Sequence, residues 1–182
     1  MTGARPMVWT VGHGTQPAER LVELLAGVPI ERVVDIRRFP GSRHNPQYGR
    51  EAMEAWLPEA RLDYRWSPRL GGRRRPSPDS PHTALRNDAF RAYAEHMETA
   101  EFLAGIDELL ELADAAPTTV MCSESVWWRC HRRLVADHLT LVRGLEVRHV
   151  MPDGRISAHR VTDGARLVAG HVRYDVVTAP TS

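Results

Sequence analysis

Residues 118–151, TTVMCSESVWWRCHRRLVADHLTLVRGLEVRHVM, contain the pattern that decides the fold. The run TTVMC is typical of a buried strand and ends at Cys122. The segment CHRRLVADHLTLV (130–142) predicts a helix, and LEVRHVM (145–151) predicts a second strand. A strand, a helix and another strand in succession are typical of proteins built on a parallel sheet.

The same alternation precedes this stretch. MVWTVGHG (7–14) and IERVVDIRRFP (30–40) predict buried strands, and the helix QPAERLVELLAGV (16–28) lies between them. A short helix is predicted over 51–61, followed by a short strand in LDYRW (62–66). The alternation predicts an α/β fold with a mainly parallel sheet flanked by helices.

Two further patterns complete the predicted architecture. A long helical segment spans about 87–115 and is expected to break near Thr99. The turn PDG (152–154) leads into RISAHRVT (155–162), which predicts an antiparallel hairpin added to the sheet. Between the third strand and the long helix, residues 67–87 form a polar, Pro-rich loop of a length that is usually functional or disordered.

Length and composition favour a single cytoplasmic domain. A chain of 182 residues suits one domain, with its core at about 8–151 and a C-terminal hairpin or extension at 152–177. No apolar run approaches the length of a membrane span, and the first apolar stretch is too short for a signal peptide. Two cysteines do not make a secreted disulfide framework, so we expect a reducing compartment and no membrane partner.

The basic residues are unusual in type and in distribution. All 24 are Arg, which is explained either by GC-rich coding or by selection for the planar guanidinium fork. From Arg37 to Arg75 ten arginines face four acids, a local balance of +6 in a chain of net charge +1. A solvated basic face is the usual cause of such a run, but Gly41, Gly71 and Gly72 open the backbone beside these arginines. This combination predicts an anion site.

The carboxyl ends of parallel strands meet at one edge of a sheet, where α/β proteins bind their ligands. Four segments follow predicted strands and are rich in residues able to do chemistry. They are Gly12 with His13, the stretch from Asp35 to Arg43, the loop LGGRRRP (70–76), and the stretch from Cys122 to His131. We therefore expect these segments to form one crevice.

Three explanations compete for the only two thiols, Cys122 and Cys130: a catalytic or redox thiol, a metal site, or simple packing. In the first, Cys122 is the nucleophile, Arg37 and Arg132 lower its pKa, and Cys130 is a resolving thiol. A dithiol pair requires the two Cα atoms to lie within about 7 Å. His131, or alternatively His13, would then act as the proton partner. The catalytic candidates are Cys122, Cys130, Glu124, His131 and His13.

Two carboxylates lie near these groups. Glu124 is a candidate acid or base, although a salt bridge with the nearby arginines is the commoner role. Asp35 is expected to orient an arginine or to cap a loop, and a catalytic role is the alternative. No metal site is predicted, because neither C-x₂-C nor H-x₃-H spacing occurs, and no cofactor is identified. Phosphate-binding loop motifs are absent as well, and no Cys-x₅-Arg loop follows Cys122.

Five ordered motifs carry a resemblance to a known family. They are TVGHG, VVDIRRFPGSRHNPQYG, LGGRRRPSPDSPHTALRN, FRAYAEHM and MCSESVWWRCHRRLVADHL, and they cover roughly residues 8–151. The chain resembles the family of domain of unknown function 488, which consists of small bacterial and archaeal proteins. The resemblance supports the fold and the site, and it implies no activity.

The sequence therefore predicts an anionic small molecule, phosphorylated, nucleotide-like or carboxylated, as the ligand of an Arg-rich crevice. The residues expected to bind it are Asp35, Arg37, Arg43, Gly71, Gly72, Arg73 and Arg132. If the protein is an enzyme, cysteine-dependent transfer, hydrolysis or thiol-redox chemistry is expected. The alternative is a nucleic-acid-binding module whose arginines contact phosphates while Trp127, Trp128, Trp66 and Tyr48 stack on bases. The oligomeric state is left open.

Overall fold

The predicted strands assemble into one six-stranded sheet with the order β3-β2-β4-β1-β5-β6. In the computed structural model, which describes residues 6–175, the first five strands are parallel and β6 pairs antiparallel with β5. The α/β fold predicted from the sequence is confirmed. The strands of this sheet are β1 Val8–Gly12, β2 Arg32–Asp35, β3 Asp63–Trp66, β4 Thr118–Cys122, β5 Val147–Val150 and β6 Ile156–Ala158.

Helices cover both faces of the sheet because its central strands are apolar on both sides. Val33 packs with α1 and α2 on one face, and Val34 packs with α3, α4 and α5 on the other. Residues adjacent in a strand point to opposite faces, so one apolar run supplies both halves of the core. The helices are α1 Ala18–Ala26, α2 Arg50–Glu59, α3 Asp88–His96, α4 Ala100–Ala115 and α5 Arg132–Leu141.

The break expected near Thr99 is present between α3 and α4. The Thr99 side chain accepts a hydrogen bond from the backbone N–H of Phe102 at 3.2 Å and so caps α4. Asn87 caps α3 in the same way, by accepting from the N–H groups of Ala89 and Phe90. Both caps satisfy backbone donors that have no partner within the helix.

The C-terminal part contains the predicted hairpin and an element that was not predicted. Beyond β6, strands β7 (Ala165–Val168) and β8 (His171–Tyr174) form a separate antiparallel pair. Asp137 on α5 holds this region by accepting hydrogen bonds from His159 Nε2 at 2.8 Å, Thr162 N at 2.9 Å and Tyr174 Oη at 2.8 Å. The last two residues of the predicted extension, 176 and 177, lie outside the described residues.

Within residues 6–175, none of the helices has both the length and the apolar character that crossing a lipid bilayer requires.

Candidate functional site

A crevice of about 420 Å³ lies at the carboxyl ends of β1, β2 and β4. These strands are neighbours in the order β2-β4-β1, so the loops that follow them meet at one edge. The loop after β3 reaches the same place. The crevice is lined by His13, Gly14, Thr15, Arg37, Arg38, Phe39, Gly41, Ser42, Asn45, Gly72, Arg73, Ser123, Glu124, Ser125 and His131.

Gly12 allows the loops after β1 and β4 to run side by side. A Cβ at this position would lie 1.7 Å from the backbone oxygen of Glu124, a distance that no side chain can occupy. The close approach lets His13 N donate to Cys122 O at 3.0 Å and Gly14 N donate to Ser123 O at 2.9 Å. The strand pairing thus continues past the sheet and forms one wall of the crevice.

A buried ion pair forms the floor. The Asp35 carboxylate is fully buried and accepts from Arg37 Nε at 2.8 Å and Nη2 at 2.6 Å, and from Tyr64 Oη at 2.7 Å. The bidentate pairing fixes the guanidinium plane. Asp35 itself does not line the crevice and instead orients Arg37, which does.

His13 joins this network as a neutral side chain. Its Nδ1 donates to Gly14 O at 2.7 Å, which leaves Nε2 to accept from Arg37 Nη1 at 3.1 Å. Burial, reinforced by the Arg37 charge, lowers the pKa of His13 from 6.5 to about 4. The ring also stacks on Tyr48 with centroids 4.0 Å apart. Because both ring nitrogens are engaged, His13 positions Arg37 rather than offering a free base.

Two other arginines stand at the mouth without counter-ions. Arg38 Nη1 donates to the backbone oxygen of Arg73 at 3.2 Å, and neither guanidinium pairs with a carboxylate in the described part of the chain. Arg73 has a φ of 58°, in the left-handed region that non-glycine residues rarely adopt. Gly71 packs against the backbone of Arg38, where a Cβ would lie 2.7 Å from its N and Cα atoms. Strained backbone of this kind is common at ligand sites.

The position of Arg43 and the contacts of Glu124 differ from those predicted from the sequence. Arg43 is exposed and lies outside the crevice lining, as does Gly71. Glu124 lines the crevice, but its carboxylate makes no ion pair with any residue between 6 and 175, so the expected salt bridge is not formed. Glu124 therefore remains an exposed acid at the rim.

The two thiols lie beneath the floor. Cys122 and Cys130 are 1% and 4% exposed, belong to the hydrophobic core beside α5, and do not line the crevice. Their Sγ atoms are in contact as a disulfide-bonded pair. The Cα atoms are 7.5 Å apart, slightly beyond the expected limit of about 7 Å. The two cysteines are therefore paired although their Cα separation exceeds the expected limit, and neither of them lines the crevice.

Two side chains surround the sulfurs. Arg132 is 1% exposed, its Nη1 lies 3.5 Å from Cys122 Sγ, and its Nη2 donates to Ser125 O at 3.0 Å. Burial lowers the pKa of Arg132 to about 9, so it stays cationic at neutral pH. His131 donates through Nε2 to Ile36 O at 3.0 Å, and its Nδ1 lies 3.6 Å from Cys130 Sγ.

His131 lies between the crevice and the cysteine pair, since it lines the crevice and contacts the sulfur of Cys130. Gly72 provides the room: a Cβ there would be 3.1 Å from His131 Nδ1. Burial lowers the pKa of His131 to about 4, so the ring is neutral and its Nδ1 presents a lone pair to Cys130 Sγ.

The aromatic residues expected to stack on a ligand contact other protein groups, are buried, or lie outside the crevice lining. Trp127 stacks on His149 at 4.4 Å, Trp66 Nε1 donates to Arg37 O at 2.9 Å, and Tyr48 is fully buried. Trp128 is exposed but does not line the crevice. Phe39, which sequence reasoning missed, is 61% exposed and lies in the lining.

Sequence reasoning also passed over several polar residues of the lining. Their only signal was their position next to the predicted residues, immediately after strand ends. These residues are Thr15, Asn45, Ser123 and Ser125. In the part of the chain that the structure describes, no three His, Cys, Asp or Glu side chains are grouped so that they could hold a metal ion.

Comparison with known proteins gives one match. The family model described as domain of unknown function DUF488 matches residues 17–139, which include the segments after β2, β3 and β4. No curated protein and no solved structure matches the chain.

Proposed function

Since the chain belongs to the DUF488 family, whose description assigns no activity, we propose a function from the crevice itself: it binds an anionic small molecule, such as a nucleotide or another phosphorylated compound. The observation that carries the proposal is the pair of guanidinium groups, Arg38 and Arg73, at the mouth without carboxylate partners among residues 6–175. A guanidinium fork matches the geometry of phosphate and carboxylate oxygens.

The rest of the lining supports this class of ligand. The volume of about 420 Å³ is in the range of small-molecule sites. Hydroxyl groups from Ser42, Ser123 and Ser125 supply neutral donors near the arginines. Phe39 exposes 61% of its surface at the rim, which suits contact with a planar group.

The test is a thermal-shift screen of the full chain with inorganic phosphate, nucleotides, sugar phosphates and carboxylates. A ligand at a hundredfold excess over its Kd should stabilise the fold by about 2.7 kcal/mol. We expect at least one phosphorylated compound to do so.

Two variants locate the binding. Arg38→Gln removes one free cation, and Arg73→Gly removes the other while relieving its left-handed backbone. Each should weaken the Kd of the hit by about tenfold or more, as expected for a lost charge-assisted contact. Arg155→Gln is the matched control, because Arg155 is exposed, pairs with Asp153 and does not line the crevice. Equal weakening by all three variants would refute the crevice as the binding site.

The nucleic-acid alternative gives a different salt dependence. It is favoured by Arg43 and Arg75, which are exposed outside the crevice and unpaired in the described residues. If these arginines bind phosphates along a strand, affinity for an oligonucleotide should fall steeply between low and moderate salt, and Arg43→Gln should weaken it. A crevice-bound metabolite should be insensitive to Arg43→Gln.

A further inference from the structure

We propose that Cys122 and Cys130 form a reversible dithiol centre that small hydroperoxides oxidise, with Cys122 as the attacking thiolate beside Arg132. In this centre His131 takes the proton of Cys130. The proposal concerns the sulfur pair below the floor and does not depend on which anion the crevice binds.

The first argument is the unbalanced charge of Arg132. Its side chain is 1% exposed, its Nε has no hydrogen-bond partner, and no carboxylate among the described residues lies within ion-pairing distance. A buried cation is costly unless an anion compensates it. Nη1 lies 3.5 Å from Cys122 Sγ, and a Cys122 thiolate would supply that anion. In the bonded pair the only carboxylate within residues 6–175 that offsets this charge is that of Glu124, which is exposed and beyond ion-pairing distance, so the electrostatics of the site favour the reduced form.

The second argument is the orientation of His131. Its Nε2–H donates to the backbone oxygen of Ile36 at 3.0 Å, which places the hydrogen on Nε2 and the lone pair on Nδ1. Nδ1 lies 3.6 Å from Cys130 Sγ. The two thiols therefore differ: Cys122 faces the guanidinium of Arg132, which stabilises its thiolate, while Cys130 faces the Nδ1 lone pair of His131 and the backbone N–H of Arg132.

The third argument is access, which selects the oxidant. The cysteines are 1% and 4% exposed, so a bulky disulfide cannot reach either sulfur in line. Hydrogen peroxide is little larger than water, and His131, which lines the crevice and lies 3.6 Å from Cys130 Sγ, marks the side from which it would approach. The oxidant class is thus a small hydroperoxide.

The chemistry balances with hydrogen peroxide as the two-electron acceptor. The Cys122 thiolate attacks one peroxide oxygen, the S–O bond forms, the O–O bond breaks, and the leaving hydroxide takes a proton from solvent to become water. Cys130 then gives its proton to His131 and attacks the Cys122 sulfur. The S–S bond forms, the S–O bond breaks, and the departing hydroxide recovers that proton as a second water. The two sulfurs are oxidised by two electrons, and both peroxide oxygens leave as water.

The test starts from the full chain purified under reducing conditions. Hydrogen peroxide is added, free thiols are alkylated, and intact mass is followed with time. We expect loss of two hydrogens and of both alkylation sites. Cys130→Ser should stop at a sulfenic acid on Cys122 that dimedone traps, whereas Cys122→Ser should react much more slowly. If Cys130 carries the sulfenic acid instead, or if the reduced protein does not react, the proposal is wrong.

Variants of the buried arginine test the electrostatic step. Arg132→Met should slow oxidation by about tenfold or more, the change that one unit of thiol pKa gives for a mostly protonated thiol. Arg132→Lys, which keeps the charge, should recover part of the rate and guards against a folding defect in the Met variant. Arg133→Met, one residue further along α5 and bonded to Trp128 O instead, is the matched control. Equal rates for a folded Arg132→Met variant and the parent would overturn the role of Arg132.

Discussion

Asp35→Asn should lower the free energy of unfolding by about 3–5 kcal/mol, the cost of leaving a buried charge unpaired. Asp35 has no exposed surface, and Arg37 is 8% exposed. The substitution removes the negative charge that accepts two hydrogen bonds from the Arg37 guanidinium, at 2.6 and 2.8 Å. It also places the amide N–H₂ group of Asn against hydrogen-bond donors. Hydrogen bonds to charged groups are worth about 1.5–3 kcal/mol each, so losing two is consistent with that range.

The assay is urea unfolding followed by circular dichroism, with comparison of the slopes to confirm two-state behaviour. Asp63→Asn is the matched control, since Asp63 also pairs with an arginine, Arg32 at 2.7 Å, but its side chain is 37% exposed. That pair should be worth less than about 1 kcal/mol.

A double substitution separates pairing from packing. Asp35→Asn combined with Arg37→Met removes both charges, so its cost should be smaller than the sum of the single costs by about 1 kcal/mol or more. Additive costs, or an Asp35→Asn cost no larger than that of Asp63→Asn, would refute the view that Asp35 and Arg37 form a coupled buried ion pair.

Gly12→Ala should destabilise the protein by about 2 kcal/mol or more, because the new Cβ would meet a backbone oxygen at 1.7 Å. Gly41→Ala, whose Cβ would meet nothing within 4 Å, should leave the thermal midpoint nearly unchanged, and a similar drop for both would contradict the steric argument. Asn87→Ala should cost about 1 kcal/mol in urea unfolding through loss of the α3 cap, and Asn87→Gly only a few tenths. Stability should also fall as the pH drops from 6.5 toward 4, because burial lowers the pKa of His13 and His131 to about 4. The unfolded chain binds more protons than the fold in that window, so a flat urea midpoint across it would show that these rings are not held neutral.

Most of the sheet was predictable from local sequence, since runs such as TTVMC and VVDI are apolar on both faces and only a covered parallel strand suits them. The β7–β8 pair was not predicted. Leu167 is 52% exposed and the burial along β7 does not alternate, so the local signal is weak. That pair depends on long-range contacts with α5, above all the Asp137–Tyr174 hydrogen bond.

The position of the crevice followed from the strands predicted along the chain, because their carboxyl ends meet at one edge of the sheet. How deeply each side chain is buried there did not follow from the sequence. Cys122 was expected to face the ligand because it ends a strand. In the structure it shares a face with Val120 and points toward α5, whereas the residues after it, Ser123 and Glu124, reach the crevice. The end of the strand decides this: Cys122 is the last residue of β4 and keeps the orientation of Val120, whereas Ser123 and Glu124 belong to the loop beyond it.

The sequence by itself determined the α/β architecture and the edge at which the reactive segments converge, because apolar periodicity and the succession of strands and helices are local properties of the chain. Only the tertiary structure decided where each arginine lies and what it contacts. Arg38 and Arg73 lie at the mouth, Arg37 pairs with Asp35, and Arg132 is buried beside the sulfurs. Twenty-four chemically identical side chains differ only in which counter-ion and how much solvent the fold leaves to each of them.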